Sequence, residues 1–174
     1  TNENVPALYQ AISASVPTDN VIDFMRVASQ NAIGGVTDLE ISVDGLTTII
    51  NAYGMDVSEA TNVSDMMFQT MKRGKTTIGE LASSYFNVTS IAAALGVSFG
   101  NISAAMATIT AQGVPTSVST TYLRQMLVEL GDEGKDVAKT FKQLSGQTFR
   151  EFIASGNSLQ DALKLLEAEA KRND

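Results

Sequence analysis

Lys72-Arg73-Gly74-Lys75-Thr76 is the stretch of this sequence whose residue types and spacing most directly suggest a chemistry. Gly74-Lys75-Thr76 has the form of the tail of a phosphate-binding loop, in which backbone N–H groups and a lysine cradle phosphates. That loop needs another glycine five positions earlier, and the residue there is Gln69. It also needs a preceding strand, whereas residues 66–71, MMFQTM, read as helix. Three cations in four residues also suit nucleic-acid phosphates. The simpler reading is that they close a helix C-terminus, where positive charge complements the helix dipole.

Carboxylates are plentiful, 19 in all, so a two-acid glycosidase has to be weighed. None lies in an apolar, aromatic-lined context of the kind that raises a pKa and shapes a sugar cleft. Asp132 and Glu133 belong to a polar GDEGKD turn, and Asp38, Glu40 and Asp44 are early-helix acids, the expected dipole partners. Met66, Met67 and Met71 have the softness of a promiscuous peptide groove, but their spacing fits a core stripe. NVT, NIS and NVS match glycosylation acceptors and carry little weight without an export signal. There is no cysteine and no histidine, which removes disulfides, thiolates, the commonest general base and the commonest metal ligand. The expectation is a protein that is not an enzyme, with no catalytic, cofactor-binding or metal-ligating residue and no cofactor.

The elements that carry these residues read as helices nearly throughout. Val21, Phe24, Met25 and Ala28 follow one face, as do Leu39, Val43, Leu46 and Ile50. Val63, Met67 and Met71 form a third stripe, Tyr122, Leu123, Met126, Leu127 and Leu130 a fourth, and Leu159, Ala162, Leu163 and Leu166 a fifth. Thr77-Ile-Gly-Glu80 has the capping-box form and Ser158-Leu-Gln-Asp161 is a looser relative; Ser98 and Thr37 fall where N-caps belong. Gly54, Gly74, Gly113, Gly131, Gly146 and Gly156 follow apolar runs, where a left-handed terminal residue is wanted. Pro6, Pro17 and Pro115 lie near helix starts. The fold class is all-α: about ten short helices packed as helical hairpins.

With 174 residues, positions 1–174 suit a single helical module. The net charge of −7 disfavours nucleic acid and anionic lipid as partners of the surface as a whole. Nine acids and one base, Arg26, fall within residues 1–71. The chain opens TNENVPALYQ, without an initiator Met or an export signal, and reads as an excerpt of a longer polypeptide.

Residues 81–123 hold no charged side chain. A membrane-spanning helix needs about 20 mostly apolar residues. Here Asn87, Asn101, Gln112, many Ser and Thr, and Pro115 interrupt the run, and no cationic or aromatic belt flanks it. Buried helices of small residues fit better, with nothing facing water enough to need a charge. An internal echo overlaps this stretch: residues 35–67 resemble residues 96–127 once a small indel is allowed. Each reads as helix, glycine turn, helix.

The order of these pieces carries a family resemblance. Gly74-Lys75-Thr76-Thr77 leads into Glu80-Leu81-Ala82, then IAAALGVSF, AMATITAQGVPT and LRQMLVEL. KTFKQLSGQTFREFIASGNSLQDALKLLEAEAK follows, with LYQAISASVPTDN and DGLTTIINAYGMDVSEA upstream. Together they resemble the core region of phage tail tape measure proteins over nearly the whole chain. Gly100 departs from that pattern, standing where the family usually offers an acid, and Tyr85-Phe86 replaces smaller residues. The resemblance implies a structural protein of the virion that lies in the tail lumen and sets tail length during assembly in the host cytoplasm. It would leave ahead of the DNA at infection. Tail tube and tail assembly proteins are the implied partners, with self-association in the lumen, no specific nucleic acid binding, and membrane contact only on ejection. The competing expectation is a membrane-active ejection module that inserts its charge-free hairpins into the host membrane.

Overall fold

Short amphipathic helices with explicit stop signals can bury their apolar faces only against one another. The computed structural model describes residues 4–173, and every regular element among them is helical. Glu3, one of the nine early acids, lies outside the described residues, as does the rest of the opening TNE. The helices are α1 (Asn4–Ser13), α2 (Val21–Gly35), α3 (Leu39–Tyr53), α4 (Ala60–Arg73), α5 (Ile78–Ser84) and α6 (Thr89–Ala94). They continue as α7 (Phe99–Ala111), α8 (Thr116–Gly131), α9 (Asp136–Ser145), α10 (Phe149–Ala154) and α11 (Leu159–Asn173). Single 3-10 turns occupy Val57–Glu59 and Tyr85–Asn87. Eleven helices among the described residues match the expected architecture of about ten.

The core is organised around α3 and α7. Helix α3 buries Val43, Leu46, Ile49 and Ile50 and packs against α1, α2, α4, α5 and α6. Helix α7 buries Phe99, Ile102 and Met106 and packs against α4, α6, α8 and α11. One apolar cluster runs without interruption from Ala7 to Ala162. Tyr85 and Tyr53 present their rings edge-on to Phe99, with centroids 5.1 and 6.0 Å apart. A second aromatic group ties α9 to α10, where Phe141 meets Phe149 and Phe152 edge-on at 5.7 and 5.2 Å. Such pairs add about 0.5–1.5 kcal/mol each beyond the area they bury. In the fourth stripe Tyr122 is 56% exposed, so the buried face of α8 is narrower than the sequence pattern.

Local chemistry fixes most helix ends. Thr77 and Glu80 form a reciprocal capping box at α5, and Ser98 caps α7 through the Asn101 N–H. Ser158 and Asp161 do the same at α11, with the Ser158 N–H donating to Asp161 at 3.0 Å and the Asp161 N–H to Ser158 Oγ at 3.1 Å. Thr37 is not a cap: Asp38 takes that place at α3, without a side-chain cap bond. Thr37 instead sits against α5 at Gly79. Gly54, Gly113, Gly146 and Gly156 are left-handed as expected. Gly74 is extended at φ −101°, and a Cβ there would collide with the Thr110 hydroxyl. Gly131 closes α8 from within the helix, where a Cβ would stand 2.8 Å from Leu95 Cδ2. Both serve close packing rather than a left-handed turn.

The echo is structural as well. Helix α3, Gly54 and α4 recur as α7, Gly113 and α8, with α3 two residues longer (15 against 13) and the 3-10 turn Val57–Glu59 only in the first copy. Residues 81–123 supply much of the middle of the core. They also meet water, through Ser90, Ser98, Ala104, Thr108, Ser117 and Thr121. Hydroxyls and small residues make that surface polar enough without charge. No helix among the described residues is long and apolar enough to cross a membrane.

Candidate functional site

The residues that suggested phosphate chemistry are held in a different arrangement. Lys72 and Arg73 lie in the last turn of α4, which ends as the Gly74 N–H donates to the Thr70 carbonyl at 2.8 Å. Thr76 Oγ1 is 2.7 Å from Thr116 Oγ1, and Glu80 Oε2 accepts from the Thr77 N–H at 3.0 Å. The same carboxylate accepts from the Thr76 and Thr116 hydroxyls at 3.4 Å. A carboxylate therefore stands beside the threonine that a phosphate loop would offer to metal and phosphate. Gly74 is pressed close to α7, where an added Cβ would stand 3.1 Å from Ala107 Cα, and leaves no room for a cradle. The cations close a helix, as their position implied.

Many of the acids are surface groups engaged in capping or pairing. Asp132 accepts from the Gly134 N–H at 3.0 Å and Glu133 meets Lys142 at 3.5 Å. Hydrogen bonds from the Thr148 N–H and hydroxyl hold Glu151 below its ordinary range. The Ser158 hydroxyl and N–H lower Asp161, the Ser58 hydroxyl and N–H lower Asp56, and Lys171 lowers Glu167. Asp38, Glu40 and Asp44 are exposed around the start of α3. Met67 is fully buried, with Met66 and Met71 packed against the core, so that stripe is structural. Ser64, Thr89 and Ser103, the hydroxyls of the three glycosylation-like triplets, are buried. Among the described residues no group of three or more acids is disposed to hold a metal ion.

Two buried polar groups escaped the sequence reading. Asn31 donates to Ser64 Oγ at 2.8 Å and accepts from Ser42 Oγ at 2.9 Å, joining α2, α3 and α4. The only sequence signal was that these residues fall on otherwise apolar faces. The hydroxyls of Tyr53, Tyr85, Thr89 and Ser103 are buried without a protein hydrogen bond. Burial raises Tyr85 above the ordinary phenol range, against the opposing effect of the nearby Ser103 and Thr70 hydroxyls. Burial likewise raises Tyr53, with the charge of Tyr85 adding to it.

Two of the surface concavities bear on function. One, of about 530 Å³, lies where the start of α1, the end of α2 and the start of α3 meet. The other, of about 320 Å³, is an apolar groove between α7, α8 and α11 lined by Ile109, Met126 and Leu163. Neither holds a nucleophile paired with a base. The class the fold defines is that of an all-helical protein built from short packed helices.

Comparison with known proteins agrees. Residues 1–174 match the phage-related minor tail protein family, and the chain belongs to it. A probable tape measure protein of Clostridium phage phiCD119 is 35% identical over 177 residues, covering 96% of this chain. This chain spans 19% of that relative's length. No solved structure gives a significant match. The tape-measure resemblance read from the residues is thereby established, and with it a structural role in the phage tail and a place in the virion.

Proposed function

We propose that this segment is one folded helical module of a longer tape measure protein and works in tail assembly. The longer chain sets tail length in the lumen and leaves ahead of the DNA. Tail tube and assembly proteins are its partners, met first in the host cytoplasm, and copies of the chain associate within the lumen. The observation that carries this reading is packing between helices far apart in sequence. The Arg150 guanidinium donates to the Ala94 carbonyl at 2.5 Å, and the Leu159 N–H to Asn101 Oδ1 at 2.9 Å. These contacts bridge 56 and 58 residues. A chain folded back in this way adds little to the reach of a ruler.

The magnitudes decide the test. A continuous helix of this length would span about 260 Å at 1.5 Å per residue. A globule of the same size is about 40 Å across, from a radius of gyration near 16 Å. Removing the segment in frame from the full-length gene, and separately duplicating it, changes tail length by no more than about 40 Å in electron micrographs. Losing or gaining about 260 Å would overturn the folded-module reading and make the segment part of the extended ruler.

A further inference from the structure

Six of the ten exposed large hydrophobic side chains among the described residues lie on α1, α2 and the residue that ends α2. Val5, Tyr9 and Ile12 repeat along one side of α1, opposite the fully buried Ala7 and Ala11. On α2 and the residue that ends it, Ile22, Ile33 and Val36 are exposed as well, Ile33 at 80% and Val36 at 93%. Beside Ile33 the concavity of about 530 Å³ is lined by Ala32, Leu39 and Ile41 and rimmed by Asp38 and Glu40. Scattered exposed hydrophobics are ordinary, but Ile33 and Val36, one turn apart and lining the same concave surface with Thr37 and Asp38, make an apolar contact patch.

Charge selects the occupant. Asp38 and Glu40 are exposed, and no ion pair among the described residues engages them. Arg26, the single base within residues 1–71, is already held by Asp23 at 2.7 Å. Lys72 and Arg73 end α4, whose Phe68 lies against Gly34, on a different side of α2 from Ile33. An anionic bilayer would meet this rim with like charge. So would the same face of a second copy, since a two-fold axis brings equivalent surfaces together.

We propose that this corner of α1, α2 and α3 docks a partner protein through an apolar helical stripe flanked by Lys or Arg. The apolar residues cover Ile33 and Val36. The cationic stems lie along the same surface and carry their charges to Asp38 and Glu40. The site stands independently of how the segment affects tail length.

The test titrates the purified chain with a labelled 14-residue amphipathic peptide of Leu and Lys, and with its counterpart bearing Glu for every Lys. Fluorescence anisotropy reports binding, and circular dichroism checks each variant's fold. The Lys peptide binds and the Glu peptide does not. Asp38→Asn with Glu40→Gln weakens binding at least tenfold, as does Ile33→Ser with Val36→Ser. A charge-matched control, Asp19→Asn with Asp65→Asn, leaves it within twofold. Equal loss in the control, or no loss in the corner variants, overturns the proposal. So does sedimentation of the chain as a dimer that the corner variants dissociate, or corner-dependent binding to phosphatidylglycerol vesicles. If the serine pair fails to fold, the charge pair alone decides.

Discussion

Val36 ends α2 with φ 52° and ψ 52°, a left-handed conformation that β-branched residues avoid. Two glycines precede it, and both are committed to packing. A Cβ on Gly34 would lie 2.9 Å from the Phe68 ring, and one on Gly35 would collide with Ile78. The left-handed place therefore falls one residue late. In the second copy of the repeat Gly96 takes it, and Val97 is buried where Val36 is exposed. Left-handed geometry costs an L-residue about 1–2 kcal/mol, and glycine's extra freedom when unfolded returns up to about 1 kcal/mol. Val36→Gly should thus stabilise by about 0.5–1 kcal/mol, read as a higher urea midpoint at unchanged slope. That a strained, exposed valine stands there accords with a docking role for the corner. The ionisable residues give a second prediction. No histidine or cysteine is present, so no side chain has an ordinary pKa between about 6 and 8, and unfolding temperature should be flat across that range. Tyr53 and Tyr85 are raised by burial, so their contribution is fully present below the unfolded phenol value, about 10. It is lost as pH rises beyond that value, because the unfolded phenol ionises first. Glu151 and Asp161 are depressed, so their contribution is present above about pH 4–5 and is lost as pH falls through their folded values. Thermal melts from pH 3 to 11 should show a plateau with both edges, and Tyr85→Phe should move the alkaline edge upward.

At the scale of elements, contacts too close for a side chain decide which helices pair. A Cβ on Gly45 of α3 would stand 2.5 Å from Ala82 Cβ and 2.8 Å from its Cα in α5. Alanine at an ordinary helix position gains about 0.5–1 kcal/mol over glycine. Overpacking here costs about 1–3 kcal/mol, toward the upper end because the obstacle is backbone. Gly45→Ala should therefore destabilise by about 2 kcal/mol, seen as a lower urea midpoint. Helix α10 has six residues and leans on its cap: the Thr148 N–H donates to Glu151 at 2.8 Å, and the Glu151 N–H to Thr148 Oγ1 at 3.3 Å. Thr148→Ala should cost about 1 kcal/mol in the same assay. That box has the form Thr-x-x-Glu and was as legible as Thr77 to Glu80, yet the sequence reading passed over it. Helix identity and most termini were legible because periodicity and capping are local. Gly45, Gly74 and Gly131 were not, since the need for a missing side chain comes from another helix. Asp38 took the cap place from Thr37 for a related reason: Thr37 is pressed against Gly79 of α5.

For the whole molecule, the family was legible because the order and spacing of weak motifs together are specific, and 35% identity over 96% of the chain bears that out. The docking corner was not legible. It arises where α1, α2 and α3 converge, and exposed apolar residues such as Ile33 and Val36 look in sequence like core. The charge-free residues 81–123 present the opposite case: read from the sequence as buried small-residue helices rather than a bilayer segment, they are built into the fold. Leu81, Tyr85, Phe99, Ile102, Met106 and Leu123 are each no more than 2% exposed. Inserting these hairpins would first require α7 to part from α4, α6, α8 and α11. It would also carry the exposed Ser90 and Ser117 into hydrocarbon. An unbonded hydroxyl costs roughly 2–7 kcal/mol there, so the folded chain has no favourable route into lipid. Dye-loaded vesicles of phosphatidylcholine and phosphatidylglycerol should accordingly stay sealed when mixed with the folded chain at pH 7. If leakage appears only as Gly45→Ala variants are warmed through unfolding, membrane activity belongs to an opened state. Leakage by the folded chain at low temperature would instead favour the ejection-module reading over a purely structural one.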